Sequence, residues 1–152
     1  IRYSSTSRGL GDVYKRQYQN HLFNSKASQI SYEMAGGKEI PYTDPLYQQA
    51  VEEARKITAF PGSSEHQLGL AVDLVDANMQ DLTSAQESTE TQKWLMANSW
   101  RYGFIHRYPN GKTDITGIIY EPWHYRYVGK DAAQEIFNRD ITLEEYLGKT
   151  EH

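Results

Sequence analysis

Apolar positions first recur at helical spacing at Phe23, Ala27, Ile30 and Met34, with Leu22 beside them, and Gly36-Gly37 closes the segment as a C-cap would. Asp44-Pro45 has the form of an N-cap followed by proline at the first helical position, and Leu46, Ala50, Ala54 and Ile57 mark one face of the helix it opens. Phe60-Pro61-Gly62-Ser63 ends that helix. The period then changes to two. Leu70, Val72 and Leu74 alternate with Gly69, Ala71 and Asp73, which predicts a strand over 69–74. The polar stretch from Asp76 to Ser88 reads as a loop. Thr89 with Gln92 has the spacing of a capping box for a helix through Trp94, Leu95 and Tyr102, ended by Gly103. Phe104 to Tyr108 reads as a strand, and Pro109-Asn110-Gly111 as a turn. A further strand follows, with Trp123, Tyr125 and Tyr127 alternating with His124, Arg126 and Val128. Asp131 with Gln134, and Thr142 with Glu145, are expected to open two short final helices. Strands do not alternate with helices one for one. The expected fold is therefore α+β, a small, mostly antiparallel sheet flanked by helices.

Residues 1–17 fall outside this pattern. They carry Ser, Thr, Gly and basic residues without a period, and the first residue is Ile1. They are read as a foreign or disordered segment, with the folded domain over 18–152. A chain of 152 residues accommodates one domain with its own core. Its net charge of -4, with mixed signs, gives no reason to expect a nucleic-acid partner. No run approaches the roughly 18 apolar residues of a membrane span, and a monomer is expected. The chain has no cysteine, which excludes disulfides, thiolate metal sites and cysteine nucleophiles at once. Any metal must be held by His, Asp or Glu.

Two segments concentrate such residues: Ser64-Glu65-His66-Gln67-Leu68-Gly69-Leu70-Ala71-Val72-Asp73 and Glu121-Pro122-Trp123-His124-Tyr125. Asp73 shares its strand face with Gly69 and Ala71, and small neighbours leave room above a carboxylate. His66 would lie roughly 23 Å from Asp73 in a straight strand, too far for two ligands of one ion. A shared site demands a sharp bend, and Gly69 is the residue best able to supply it. His124 faces away from its neighbours Trp123 and Tyr125, and Pro122 biases Glu121 toward an extended or turn conformation that can bring its carboxylate to the same side. His66, Asp73 and His124 then form three nitrogen and oxygen ligands with a fourth position open, the pattern of catalytic rather than structural zinc. Glu121 is placed as general base, and amide hydrolysis is the output. His106 and His21 are read as structural or solvated.

The motif Ser64-x-His66-x-x-Gly69-x-Ala71-x-Asp73, followed by Glu121-Pro122-Trp123-His124, resembles the VanY-type D-alanyl-D-alanine carboxypeptidases, within the zinc peptidases that also include D,D-dipeptidases and peptidoglycan L,D-carboxypeptidases. The likeness runs from Tyr18 to Gly129. It implies Zn2+ on His66, Asp73 and His124, Glu121 as catalytic base, and Ser64 and Gln19 as contacts to the peptide. It further implies a peptidoglycan stem peptide as substrate, loss of a terminal D-Ala, and an extracytoplasmic place in the cell envelope. The alternatives are an L,D-carboxypeptidase acting on tetrapeptide stems and a non-catalytic zinc-containing wall-binding module.

One departure stands out. The family carries an Arg shortly before its Tyr-Gln pair, where it grips the substrate's terminal carboxylate. Here Tyr18-Gln19 matches the pair, but Tyr14 stands in the Arg position and Arg16 is out of register. A free carboxylate entering a closing site without a fixed cation is costly. Arg126 has the best strand direction to replace it. The expectation is a chain that binds zinc and hydrolyses substrate poorly. Tyr14→Arg should raise the rate of terminal D-Ala release, measured on a stem pentapeptide, and an unchanged rate would count against the expectation.

Overall fold

The structure is a computed structural model that describes the backbone of residues 2–4, 12–59 and 62–148 and the side chains of 18–59 and 62–148. The chain divides into two compact units, one within 9–67 and the other comprising 68–152 with the first eight residues.

The first unit is a pair of helices, α1 (Asp12–Met34) and α2 (Pro45–Ile57). Asp44 caps α2 as its sequence predicts, its Oδ1 accepting the Leu46 N–H at 2.8 Å, with Pro45 in the first turn where no N–H is needed. The two helices meet through Phe23, Ala27, Tyr47 and Ala54, with Ile30, Ile40 and Val51 against them. The buried stripe of α1 is Phe23, Ala27 and Ser31, a strict spacing of four. Leu22 and Met34, expected on that face, are exposed, as is Ile57 on α2. A partner helix as slim as α2, with Ala50 and Ala54 fully buried, covers only a narrow strip.

The second unit is built on a four-stranded sheet: β1 (Arg2–Ser4), β2 (Ala71–Val75), β3 (Phe104–His106) and β4 (His124–Tyr127), in the order β1-β2-β4-β3. All three pairings are antiparallel, as the α+β expectation has it. The three strands expected from alternation are present, each shorter than its apolar run. The fourth, β1, lies within the stretch 1–17 and pairs along the edge of β2. Asp12 to Gln17, in the same stretch, begin α1. The side chains of Tyr14 and Arg16 lie outside the described residues.

Between β2 and β3 come a 3-10 turn over Ser84–Ser88, α3 (Glu90–Asn98) and a second 3-10 turn over Ser99–Tyr102. The polar stretch 76–88 is not a plain loop. Gln86 is fully buried in it, donating to the carbonyls of Met79 and Asp81 and accepting from the Asp76 N–H. The capping box at Thr89 is half formed. Thr89 accepts the Gln92 N–H at 3.2 Å, but the Gln92 side chain turns inward, donating to the Leu74 carbonyl and accepting from the Tyr125 hydroxyl at 2.9 Å. After β3 come a single turn, α4 (Thr113–Thr116), then β4, α5 (Lys130–Arg139) and α6 (Leu143–Tyr146). Thr142 and Glu145 form the full capping box predicted for α6. The cap of α5 is Gly129 rather than Asp131, with no side-chain bond. Ile105, Ala133 and Ile136 pack α5 against the sheet, with Trp100, Val128, Ile141, Leu143 and Tyr146 around them.

Gly103 turns the chain into β3 with φ 85°, and a Cβ there would meet Tyr127 Cε2 at 2.8 Å and the Gly129 carbonyl carbon at 3.1 Å. Gly103→Ala should therefore lower stability by about 2 kcal/mol, read from thermal unfolding, because alanine is strained in this conformation and lacks the space.

Candidate metal centre

Register creates the centre of the site. Asp73 of β2 and His124 of β4 are directly opposed partners, so their side chains leave the sheet on one face and side by side. His124 Nδ1 lies 3.2 Å from Asp73 Oδ1 and 3.7 Å from Glu121 Oε2. The three side chains are 7%, 17% and 13% exposed, so two carboxylates converge on one imidazole with little water to screen them. Such a concentration of negative charge favours a cation.

Glu121 reaches this position through its backbone. Its N–H donates to the Tyr108 carbonyl at 3.1 Å, and its own carbonyl accepts the His124 N–H at 3.2 Å. Pro122, fully buried between them, supplies a fixed φ and no competing donor. A turn over Glu121–Trp123 thus replaces the extended strand that would have sent the carboxylate to the other face.

His66 enters from the other motif. It lies in the 3-10 turn Glu65–Leu68, closed by the Gln67 N–H on the Ser64 carbonyl at 3.1 Å. Gly69, with φ 68° and open space where a Cβ would be, then redirects the chain into β2. The bend demanded by the sequence is there, made by the turn and the glycine together. One ligand atom each from His66, Asp73 and His124 lies within 4.8 Å of the others. Zinc bonds of about 2.0–2.2 Å in a tetrahedron hold donors roughly 3.3–3.6 Å apart. The Asp73–His124 separation, 3.2 Å, is close to that length, and two imidazoles with one carboxylate are a donor set suited to zinc. The residues fit the ion.

Of the remaining candidates, Arg126 shares the sheet face of Asp73 and His124, opposite Ala71 in the register, with its Nε donating to the Tyr127 carbonyl at 3.2 Å. Ser64 is half-buried and begins the turn that carries His66. Gln19 donates its side-chain amide to the Ala59 carbonyl at 2.8 Å, tying α1 to the end of α2.

Three supports stand beside the candidate ligands. The Tyr108 ring lies against the His124 ring, 4.8 Å between centroids. Arg107 also lies over the Tyr108 ring, 4.8 Å from its centroid, and is itself held by Glu144 through two bonds of 3.0 and 2.5 Å. His106, on β3, is half-buried, and its partial withdrawal from water lowers its pKa. Glu144 is 37 residues from Arg107, so no local signal marks the pairing.

With this geometry in place, the comparisons with known proteins take on structural meaning. Residues 14–130 match the model of the family VanY, D-alanyl-D-alanine carboxypeptidase. The D-alanyl-D-alanine carboxypeptidase of Enterococcus faecalis (strain ATCC 700802 / V583) is 54% identical over 99 residues, which are 65% of this chain and 35% of that protein. The vancomycin resistance D,D-pentapeptidase VanY of a VanB-type cassette, solved in complex with Zn(II), superposes with a TM-score of 0.70 at 37% identity, over 97% of this chain and 72% of that one. The LdcB LD-carboxypeptidase gives 0.67 at 39% identity, over 90% and 55%. The chain belongs to the VanY D-alanyl-D-alanine carboxypeptidase family. It spans between about a third and about half of the length of the curated relatives it matches.

The Arg107–Glu144 pair predicts a measurable coupling to the site's support. Glu144→Gln leaves a nearly buried guanidinium undercompensated and should lower stability by about 2 kcal/mol in urea unfolding, below the full cost of breaking a wholly buried pair.

Proposed function

We propose that this chain is a zinc-dependent carboxypeptidase domain, over residues 18–152, that hydrolyses the C-terminal D-Ala from peptidoglycan stem peptides. The convergence of His66, Asp73 and His124, with Glu121 Oε2 3.7 Å from His124 Nδ1, is the observation that carries this reading. His66, Asp73 and His124 would hold the ion, which when bound supplies Lewis acidity to polarise the scissile carbonyl and acidify water to a pKa of about 7. Glu121 accepts the proton of the attacking water and returns it to the leaving amine. Its carboxylate is suited to both tasks, being mostly withdrawn from solvent and anchored through its own backbone.

Substrate contacts are assigned to Ser64, Gln19 and Arg126. The Gln19 amide gives one of its two N–H hydrogens to Ala59, and its contact to the peptide would use the second N–H or the amide oxygen. Arg126, on the face of the ligands, would take the terminal carboxylate in place of the Arg that the family carries where Tyr14 stands, and turnover is expected to be weaker for it. The natural setting is extracytoplasmic, where stem peptides are found, and the working unit is a monomer. Among the described residues no helix is long and apolar enough to cross a membrane. The likeness to LdcB supports a second reading, L,D cleavage of tetrapeptide stems.

The test is mass spectrometry of muropeptides after incubation with zinc-loaded protein. Loss of one alanine from pentapeptide stems supports D,D cleavage, the same loss from tetrapeptide stems selects L,D cleavage, and no loss from either overturns the reading. Glu121→Gln should lower turnover by about 10²–10⁴-fold while zinc content, measured by elemental analysis, is unchanged.

A further inference from the structure

His106 opposes Tyr125 in the β3–β4 register, and its ring lies against those of Tyr120, 5.7 Å away at 77°, and Tyr125, 5.8 Å away at 37°. That bed is itself fixed, since Tyr125 is fully buried and donates its hydroxyl to Gln92, which in turn holds the Leu74 carbonyl. An imidazole half-buried among aromatic rings gains from a hydrogen bond that replaces the water it has lost. His106 makes one, its Nε2 lying 3.1 Å from the carbonyl oxygen of Glu121. A carbonyl only accepts, so Nε2 carries the hydrogen.

The consequence falls on Glu121. Its N–H is held by Tyr108, and its carbonyl receives two donors, the His124 N–H and His106 Nε2. The peptide plane between Glu121 and Pro122 is thereby fixed, and Pro122 restricts the next φ. A carboxylate on a backbone pinned at both ends has its direction set before substrate arrives, and only its side-chain torsions remain to be chosen.

We propose that His106 is a positioning residue for Glu121, fixing through its Nε2–H bond the backbone from which the carboxylate projects toward the metal ligands. This rests on the hydrolytic reading of Glu121, and the experiment separates the two.

His106→Leu removes the donor and keeps the apolar packing, whereas His106→Gln places an amide donor at the position of Nε2. In zinc-loaded protein His106→Leu should lower kcat by about tenfold, a fraction of the loss expected for a misplaced group, with KM and zinc content unchanged. His106→Gln should recover most of that loss. In zinc-free protein, nuclear magnetic resonance should find His106 as the Nε2–H tautomer, and exchange of the His124 amide hydrogen should quicken in His106→Leu and return in His106→Gln.

Wild-type kcat in a folded His106→Leu overturns the proposal. So does an Nδ1–H tautomer, or equal impairment of both variants in proportion to their loss of thermal stability. If the wild-type protein releases no alanine, the hydrolytic reading fails by itself. The tautomer and the exchange rates then decide the positioning claim, unaltered His124 exchange in His106→Leu being the result that overturns it.

Discussion

Everything in the site depends on one cross-strand pair. Asp73 and His124 are direct partners in the β2–β4 ladder, so the backbone hydrogen bonds of the sheet set the distance between their side chains. Asp73 and His124 are held side by side by the sheet, and Glu121 comes within 3.7 Å of His124 from the turn that leads into β4. The two carboxylates beside His124 carry charge that a bound divalent ion would offset.

The sheet that imposes this constraint is short, and its rigidity comes from buried polar contacts as much as from apolar packing. Gln92 bridges β2 and β4 by bonding both the Leu74 carbonyl and the Tyr125 hydroxyl. Glu144, beyond the sheet, braces Arg107, which braces Tyr108, which packs on His124. Supports of this kind specify geometry, because a hydrogen bond has a direction and an apolar contact has little. Such contacts suit a site whose donors must be held to fractions of an ångström.

Much of the frame was legible because short-range rules governed it. Asp44-Pro45 caps α2, Thr142 and Glu145 form their capping box, and period two marks β2 and β4. The departures from the expected pattern have separate causes. Gln92 has the spacing for a capping box but finds better partners in the sheet, and Gly129 caps α5 ahead of Asp131 because the chain leaves β4 there. Gln86 turned a polar stretch into an ordered turn by burying its own amide. Leu22 and Met34 are exposed because the width of the neighbouring helix, not the apolar pattern of α1, sets the buried strip. Gln92 is the case in which a distant partner overrides a local preference.

By itself the sequence determined the chemistry on offer: no thiols, two imidazoles and two carboxylates in two motifs, and a glycine placed to bend the chain between His66 and Asp73. Residue type and spacing limit which bonds a segment can make, and that much is local. Only the tertiary structure decided that Asp73 faces His124, that Glu121 turns to the same side, and that His106, Tyr108 and Glu144 stand behind them. Those relations join residues tens of positions apart, and strand register and burial, which no short window of sequence contains, are what set them.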